Sequence, residues 1–400
     1  MDFPVIYLNS NDGTGMLAFG SGPELIQKKS DLNELQQFIH AHGNEYLFGW
    51  IGYDVKNEVF PLTSENKDQL EIPEIFLWKP EHVVKLYKEH YEFLQGEKTE
   101  ECFAFLNQFL EEETDHNFHP YPIEFKSRIS KSEYLSKVST LIDHIQRGDI
   151  YEVNFCQEYY AENIELDFLL DAYFKLNDIT KAPFSSFVHF NQFTALCGSP
   201  ERYIKKEGTK IISQPIKGTA PRDKDPVIDH VIREELLNDP KERAENVMIV
   251  DLVRNDLSKI AEPNSVQVDE LFGIYTFNTV HQMISTISCI QKENISFTDV
   301  IRATFPMGSM TGAPKKRALE LIEEHESFKR GLYSGTIGYI APNGDFDWNV
   351  VIRTMLYNRD KKYLSCSVGS AITIASDPEK EYDECRLKVE RILSGMNHNE

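Results

Sequence analysis

Ser130–Phe155 reads SKSEYLSKVSTLIDHIQRGDIYEVNF. Ser130-Lys131-Ser132-Glu133 is a capping-box pattern, in which a serine and a glutamate three residues on satisfy the free N–H groups of a helix start. Tyr134, Val138, Leu141, Ile142 and Ile145 follow at helical spacing, and Gly148 closes the helix. Asp149–Phe155 then alternates apolar and polar residues, as a half-buried strand does. Further strand-like runs occur at 184–190, 193–197, 201–206 and 209–214, so helices and β-meanders alternate without simple βαβ repetition. The pattern predicts an α+β fold, a layered α/β sandwich with two largely antiparallel sheets.

Upstream, Tyr46–Asp54 is aromatic, apolar and glycine-spaced, as a strand passing close to another backbone would be. Val83–Tyr87 reads as a second strand and Glu100–Glu113 as a helix ending in an acidic run. The polar, proline-bearing stretch EETDHNFHPYP (112–122) is the best linker candidate. No internal repeat or low-complexity tract is present.

The 400 residues are 41% hydrophobic and 12% aromatic, a globular composition with ample material for a core. The formal charge of −22 argues against nonspecific nucleic-acid binding and against an anionic membrane surface. An anionic substrate would need a locally positive pocket or a bound cation. Six cysteines stand at 102, 156, 197, 289, 366 and 385, with no CxxC pair to hold zinc. Scattered single cysteines, no basic-then-apolar start and no apolar run of ~18 residues lead to the expectation of a cytoplasmic protein without a membrane span.

Three stretches carry chemistry. In QPIKGTAPR (214–222), two prolines and a glycine surround Lys217, so the lysine sits on backbone of limited freedom. It is either a solvated turn lysine or a positioned amine acting as nucleophile or anion partner. Two helices open alike, at Asp239-Pro240 and at Asp377-Pro378, and each then shows Glu-x-x-Glu: Glu242 with Glu245, and Glu381 with Glu384. Such acidic residues can simply cap a helix and complement its dipole. Two such pairs also leave open a Mg²⁺ site between the helices, since magnesium takes one or two protein carboxylates and completes its shell with substrate oxygens and water. Finally, FPMGSMTGAPKK (305–316) is a glycine-rich loop running into a helix start, able to bind an anion but lacking Walker spacing.

Together and in this order, RGDIYEVNF, SPERY, PIKGTAPR, KERAENVMIVDLVRND, VHQMIS, FPMGSMTGAPK, YSGTIGYI, VIRTMLY and EKEYDECRLK resemble the chorismate-utilising enzymes, across residues 124–400 and more faintly through FGWIGYD near residue 50. The resemblance implies the chorismate-binding enzyme fold, with 124–400 as the chorismate-binding catalytic region and 1–123 as an N-terminal part of the same sandwich. It further implies replacement of the ring hydroxyl of chorismate by ammonia. Lysine rather than alanine at 217 is the mark of the branch that makes 4-amino-4-deoxychorismate for para-aminobenzoate and folate. There the lysine is proposed to add to the ring before ammonia displaces it, which demands a neutral amine. Burial and neighbouring cations are expected to lower the pKa of Lys217.

Carried over residue by residue, the resemblance makes Glu245 and Glu384 magnesium-binding, with Glu242 and Glu381 as their outer partners. Glu201 of SPERY becomes the acid that protonates the departing hydroxyl. His281 is implied to lie beside the ring. Tyr333, Arg353 and the backbone at Gly369 would grip the enolpyruvyl carboxylate, and Thr311, Gly312, Ala371 and Lys388 would surround the substrate, with Thr219 and Glu152 also beside it. Glu152 departs from the family, where ammonia-using members carry glutamine and water-using ones lysine. Gly369-Ser370-Ala371 replaces the more usual Gly-Ala-Gly. The tryptophan-binding element of feedback-inhibited relatives is not evident. No G-x-C-x-G glutaminase motif is present, so ammonia is expected from solution or from a separate glutamine amidotransferase subunit. The rival readings are an anthranilate-forming large subunit and a noncatalytic chorismate-binding subunit; the retained glutamate pairs and Lys217 argue against the latter.

Overall fold

The helix that opens this reading forms over Lys131–Gln146, and the Ser130 hydroxyl accepts from the Glu133 amide. Only this half of the expected capping box forms; the Glu133 side chain lies instead 3.6 Å from Lys137. The strand after it begins later than expected, at Glu152, and runs to Glu162. A computed structural model describes residues 3–114, 123–277 and 280–397, so most of the linker expected at 112–122 lies outside the described residues.

The predicted meander is present as strands Phe184–Phe190, Phe193–Ser199, Arg202–Glu207 and Lys210–Gln214. It does not stay in one sheet. The first two strands belong to an 11-stranded sheet and the last two to a 10-stranded sheet, counted among the described residues. The neighbouring strands of both sheets run antiparallel, as expected. Strands from the first hundred residues extend both sheets: Val5–Asn9 pairs with Phe184–Phe190, and Leu47–Ile51 pairs with Thr336–Ile340. The Leu47–Ile51 strand passes tightly over its neighbour, because a Cβ built on Gly49 would fall 1.9 Å from the Phe76 carbonyl oxygen.

Strand alternation sorts the core into two layers. Ile6, Ala18, Val188 and Cys197 point between the sheets, joined by Trp50, Phe76 and Ile204 of the second sheet. Val5, Tyr7, Leu17, Phe187 and Leu196 point the other way, against helices Glu100–Thr114, Lys131–Gln146, Leu169–Thr180 and Pro378–Asn397. The helix Pro240–Ser258 packs on the second sheet through Ile249, Val250 and Val253. The helices that begin at Asp239-Pro240 and at Asp377-Pro378 thus belong to different layers, and Lys241 in the first turn of one lies 3.4 Å from Glu381 in the first turn of the other.

Candidate active site

Ile216–Pro221 is the end strand of the second sheet, and Glu152 opens the long strand of the first. Lys217 and Glu152 are both buried, and their side chains meet across the two sheets with Nζ 2.6 Å from Oε1. The second oxygen of Glu152 has no hydrogen-bond partner. Gly312 lies behind this carboxylate, on a two-residue strand that pairs Gly312 with Val153 and Ala313 with Glu152. A Cβ at 312 would fall 2.1 Å from the Glu152 carbonyl oxygen, so only glycine allows that approach.

The expected lowering of the Lys217 pKa is corrected by the structure. Burial does push it down, but Glu152, Glu245 and Glu201 surround the amine and together hold it above its ordinary value. The residue is therefore a buried ammonium. The sequence places cations near it; the fold places more carboxylates.

Glu201 is buried beside the amine, and burial raises its carboxyl to about 7 against the counter-pull of Ser309, Lys217 and Arg353. A carboxyl titrating there can hold a proton at neutral pH and release it to a leaving group. Arg353 is half-buried in a left-handed backbone conformation (φ 52°), uncommon for any residue but glycine, and among the described residues it forms no ion pair. Burial lowers its pKa, with Arg391 adding to this and Glu201 opposing it.

The glutamates of the helices Pro240–Ser258 and Pro378–Asn397 also gather here. Asp239 caps the first helix by accepting from the amides of Lys241 and Glu242, which leaves the Glu242 carboxylate free to face the site. A Cβ on Gly218 would meet its Oε2 at 3.1 Å. Glu245 is buried, its Oε1 has no hydrogen-bond partner and lies 3.7 Å from Lys241, and burial raises its carboxyl to about 7. On the second helix, Lys388 binds Glu384 at 2.6 Å and outweighs the effect of burial, so the Glu384 pKa falls. Glu381 is buried between the Ser370 hydroxyl and Lys241, the latter at 3.4 Å. Among the described residues no three His, Cys, Asp or Glu side chains already stand as a closed metal cage. The Glu245 oxygen, without a hydrogen bond and with Lys241 3.7 Å away, is what a hard cation would fit, since magnesium needs few protein carboxylates.

Several other expected residues line the same region. Asn154 donates to the Ser309 carbonyl at 3.1 Å, and its amide donates to the Thr311 carbonyl at 2.7 Å. A Cβ on Gly369 would strike Asn154 and Cys156, the latter also a neighbour of buried Tyr333. Lys388 donates to the Gly369 carbonyl at 3.2 Å, and Ala371 pairs with Asn154 in the sheet. Thr219 is exposed in the middle of its strand.

His281 is placed differently. Both ring nitrogens are engaged, with the Thr276 hydroxyl and with Asp229 of the helix Pro226–Asn238, each at 3.0 Å. It is tied to that helix rather than to the Lys217 cluster. The next residue, Gln282, lies on the other face of the strand, pairs with Thr219, and is buried with neither amide atom hydrogen-bonded. Sequence reading missed it, although strand alternation gives the signal: where His281 faces one side, its neighbour faces the other. Asn154 and Ser309 were missed as well, because neither has a charge or a titratable group to single it out.

Residues 14–394 match the chorismate binding enzyme family. The chain is 40% identical over 269 residues to aminodeoxychorismate synthase component 1 from Klebsiella aerogenes, a match covering 67% of this chain and 59% of that relative. It is 31% identical over 393 residues to anthranilate synthase component 1 from Thermus thermophilus, covering 93% of this chain and 84% of that one. In three dimensions it is similar to anthranilate synthase component I from Streptococcus pneumoniae, with a TM-score of 0.77 at 26% identity, covering 98% of this chain and 90% of that one. No helix among the described residues is long and apolar enough to cross a membrane. With a family match that takes in both sheets and every carboxylate of the cluster, this chain belongs to the chorismate binding enzymes.

Proposed function

We propose that the chain aminates chorismate to 4-amino-4-deoxychorismate, with Lys217 as a covalent nucleophile and Glu201 as the acid for the departing hydroxyl. The single observation that carries this reading is Lys217 itself. It is buried on the end strand of its sheet and surrounded by carboxylates able to take and give protons. A solvated turn lysine would have neither feature. Lysine addition followed by displacement with ammonia replaces one difficult substitution by two easier ones. The higher identity to aminodeoxychorismate synthase component 1 supports the same branch.

Glu245 and Glu384 would hold Mg²⁺, with Glu242 and Glu381 behind them. When bound, the ion supplies positive charge to the ring carboxylate of the substrate. Arg353, Tyr333 and the Gly369 backbone would hold the second carboxylate, and Thr311, Gly312, Ala371, Lys388, Thr219 and Gln282 would shape the remaining walls. These cations answer the problem of binding a dianion to a chain of formal charge −22. Ammonia would come from a separate glutamine amidotransferase subunit, as the component 1 name of the relative suggests.

The second reading is anthranilate formation, favoured by the longer match to anthranilate synthase component 1. A product assay with chorismate, Mg²⁺ and ammonium salt separates the two by chromatography. The expected result is aminodeoxychorismate, no anthranilate, and loss of turnover on chelation of Mg²⁺. Anthranilate with pyruvate would establish the rival reading, and undiminished turnover in chelator would remove the metal from the account.

A further inference from the structure

Resting on the reading of Lys217 as nucleophile, a difficulty remains: the amine must be neutral to attack, and the fold holds it charged. Its proton has to go to a group already in contact with it. Glu201 must keep its own proton for the leaving hydroxyl, and Glu245 faces the cation position. Glu152 is the carboxylate hydrogen-bonded to the amine, at 2.6 Å. Its other oxygen is buried without a partner, so the carboxylate is not locked by a second donor. Its backbone is fixed from behind by Gly312 and Ala313, which keeps it aimed at Lys217.

We propose that Glu152 is a catalytic residue of this chain: it takes the proton from Lys217 before attack and returns it when the lysine is released. In the first step a proton passes from Nζ to Glu152. The neutral amine then forms a C–N bond to the ring as the carbon–oxygen bond to the hydroxyl breaks, and the Glu201 proton leaves with that oxygen as water. In the second step ammonia forms the new C–N bond as the bond to Nζ breaks. The displaced amine recovers its proton from Glu152, and the surplus proton on the new amine passes to the Glu201 carboxylate. Both carboxyl groups and the lysine end as they began.

The test follows adduct formation on Lys217 by rapid quench and intact mass, using chorismate without ammonia. In Glu152→Gln, adduct formation is expected to slow by about 100-fold, the usual scale of general base catalysis, while chorismate affinity stays within about threefold. In Glu152→Ala, added formate is expected to restore the rate at least about tenfold and formamide is not, because only the former accepts a proton. A structural pair would show no such distinction. Thermal melts of Glu152→Gln check that the comparison is made on folded protein. Adduct formation at the parent rate in Glu152→Gln, or equal rescue by formamide, overturns the assignment while leaving the lysine reading intact. Absence of any adduct in the parent overturns both.

Discussion

Two buried lysine–carboxylate pairs in this molecule look alike on paper. Lys315 meets Asp256 at 2.5 Å and Lys217 meets Glu152 at 2.6 Å, with all four residues buried. Their surroundings differ. The Lys315 ammonium also donates to the Thr304 carbonyl, and the other Asp256 oxygen is bound by Lys259 at 2.9 Å. Every oxygen is satisfied, and burial lowers the Lys315 pKa despite Asp256. That pair pins the helix Lys315–His325 to the helix Pro240–Ser258. Around Lys217, by contrast, the second oxygen of Glu152 is buried without a hydrogen-bond partner, and Glu245 Oε1 has only Lys241 beside it, at 3.7 Å. Unmet hydrogen-bonding capacity of this kind costs stability, and it persists where a ligand is to be bound. The same ion pair is thus closed where it holds the fold and open where chemistry is proposed.

Substitution of each lysine by methionine separates the two roles. Lys217→Met is expected to lower amination by about 1,000-fold or more, as loss of a nucleophile does. Lys315→Met is expected to cost about 1–3 kcal/mol, because the buried Thr304 carbonyl loses its donor while Lys259 still holds Asp256, with activity per folded molecule largely kept. Denaturant melts beside steady-state rates read both. A large stability loss in Lys217→Met with normal rates would break the comparison.

Glu201 sharpens it through pH. Its folded pKa is raised from the ordinary 4.5 to about 7, chiefly by burial. The unfolded chain therefore gives up this proton first as pH rises. Below about pH 4.5 the group costs the fold nothing; between 4.5 and 7 stability falls, by on the order of 3 kcal/mol in all, and above 7 the loss is complete. Glu201→Gln should flatten that part of the stability profile between pH 5 and 8, and it should also impair amination, because an amide cannot protonate the leaving hydroxyl. In the parent, the chemical step should slow above about pH 7 as the proton is lost. Identical melting profiles in the two proteins would show that Glu201 titrates normally.

The alternation of helices with closely spaced strands was enough to give the α+β class and the strands of the meander, because local periodicity encodes burial. The Asp-Pro caps likewise announced both glutamate-bearing helices. Which sheet each strand joins was not legible: the meander divides between the two sheets after Ser199, where Pro200 marks a break in the strand but not which sheet follows. The Lys217–Glu152 pair was not legible either, since its members come from opposite sheets and 65 positions apart. For the same reason the sequence led to a lowered lysine pKa where the assembled carboxylates raise it. His281 illustrates a finer limit. A histidine in a motif invites a functional role, but the strand turns it toward Asp229 and buries Gln282 on the other face.

The central claim is that Lys217 becomes covalently bound to the substrate ring. Chorismate and Mg²⁺ are added without ammonia, and the quenched protein is measured by intact mass and then by peptide mapping. The account predicts a mass increase equal to chorismate less one water, located on Lys217, lost on addition of ammonium and absent from Lys217→Met. An unmodified parent that nevertheless aminates chorismate, with Lys217→Met turning over at the same rate, would contradict it.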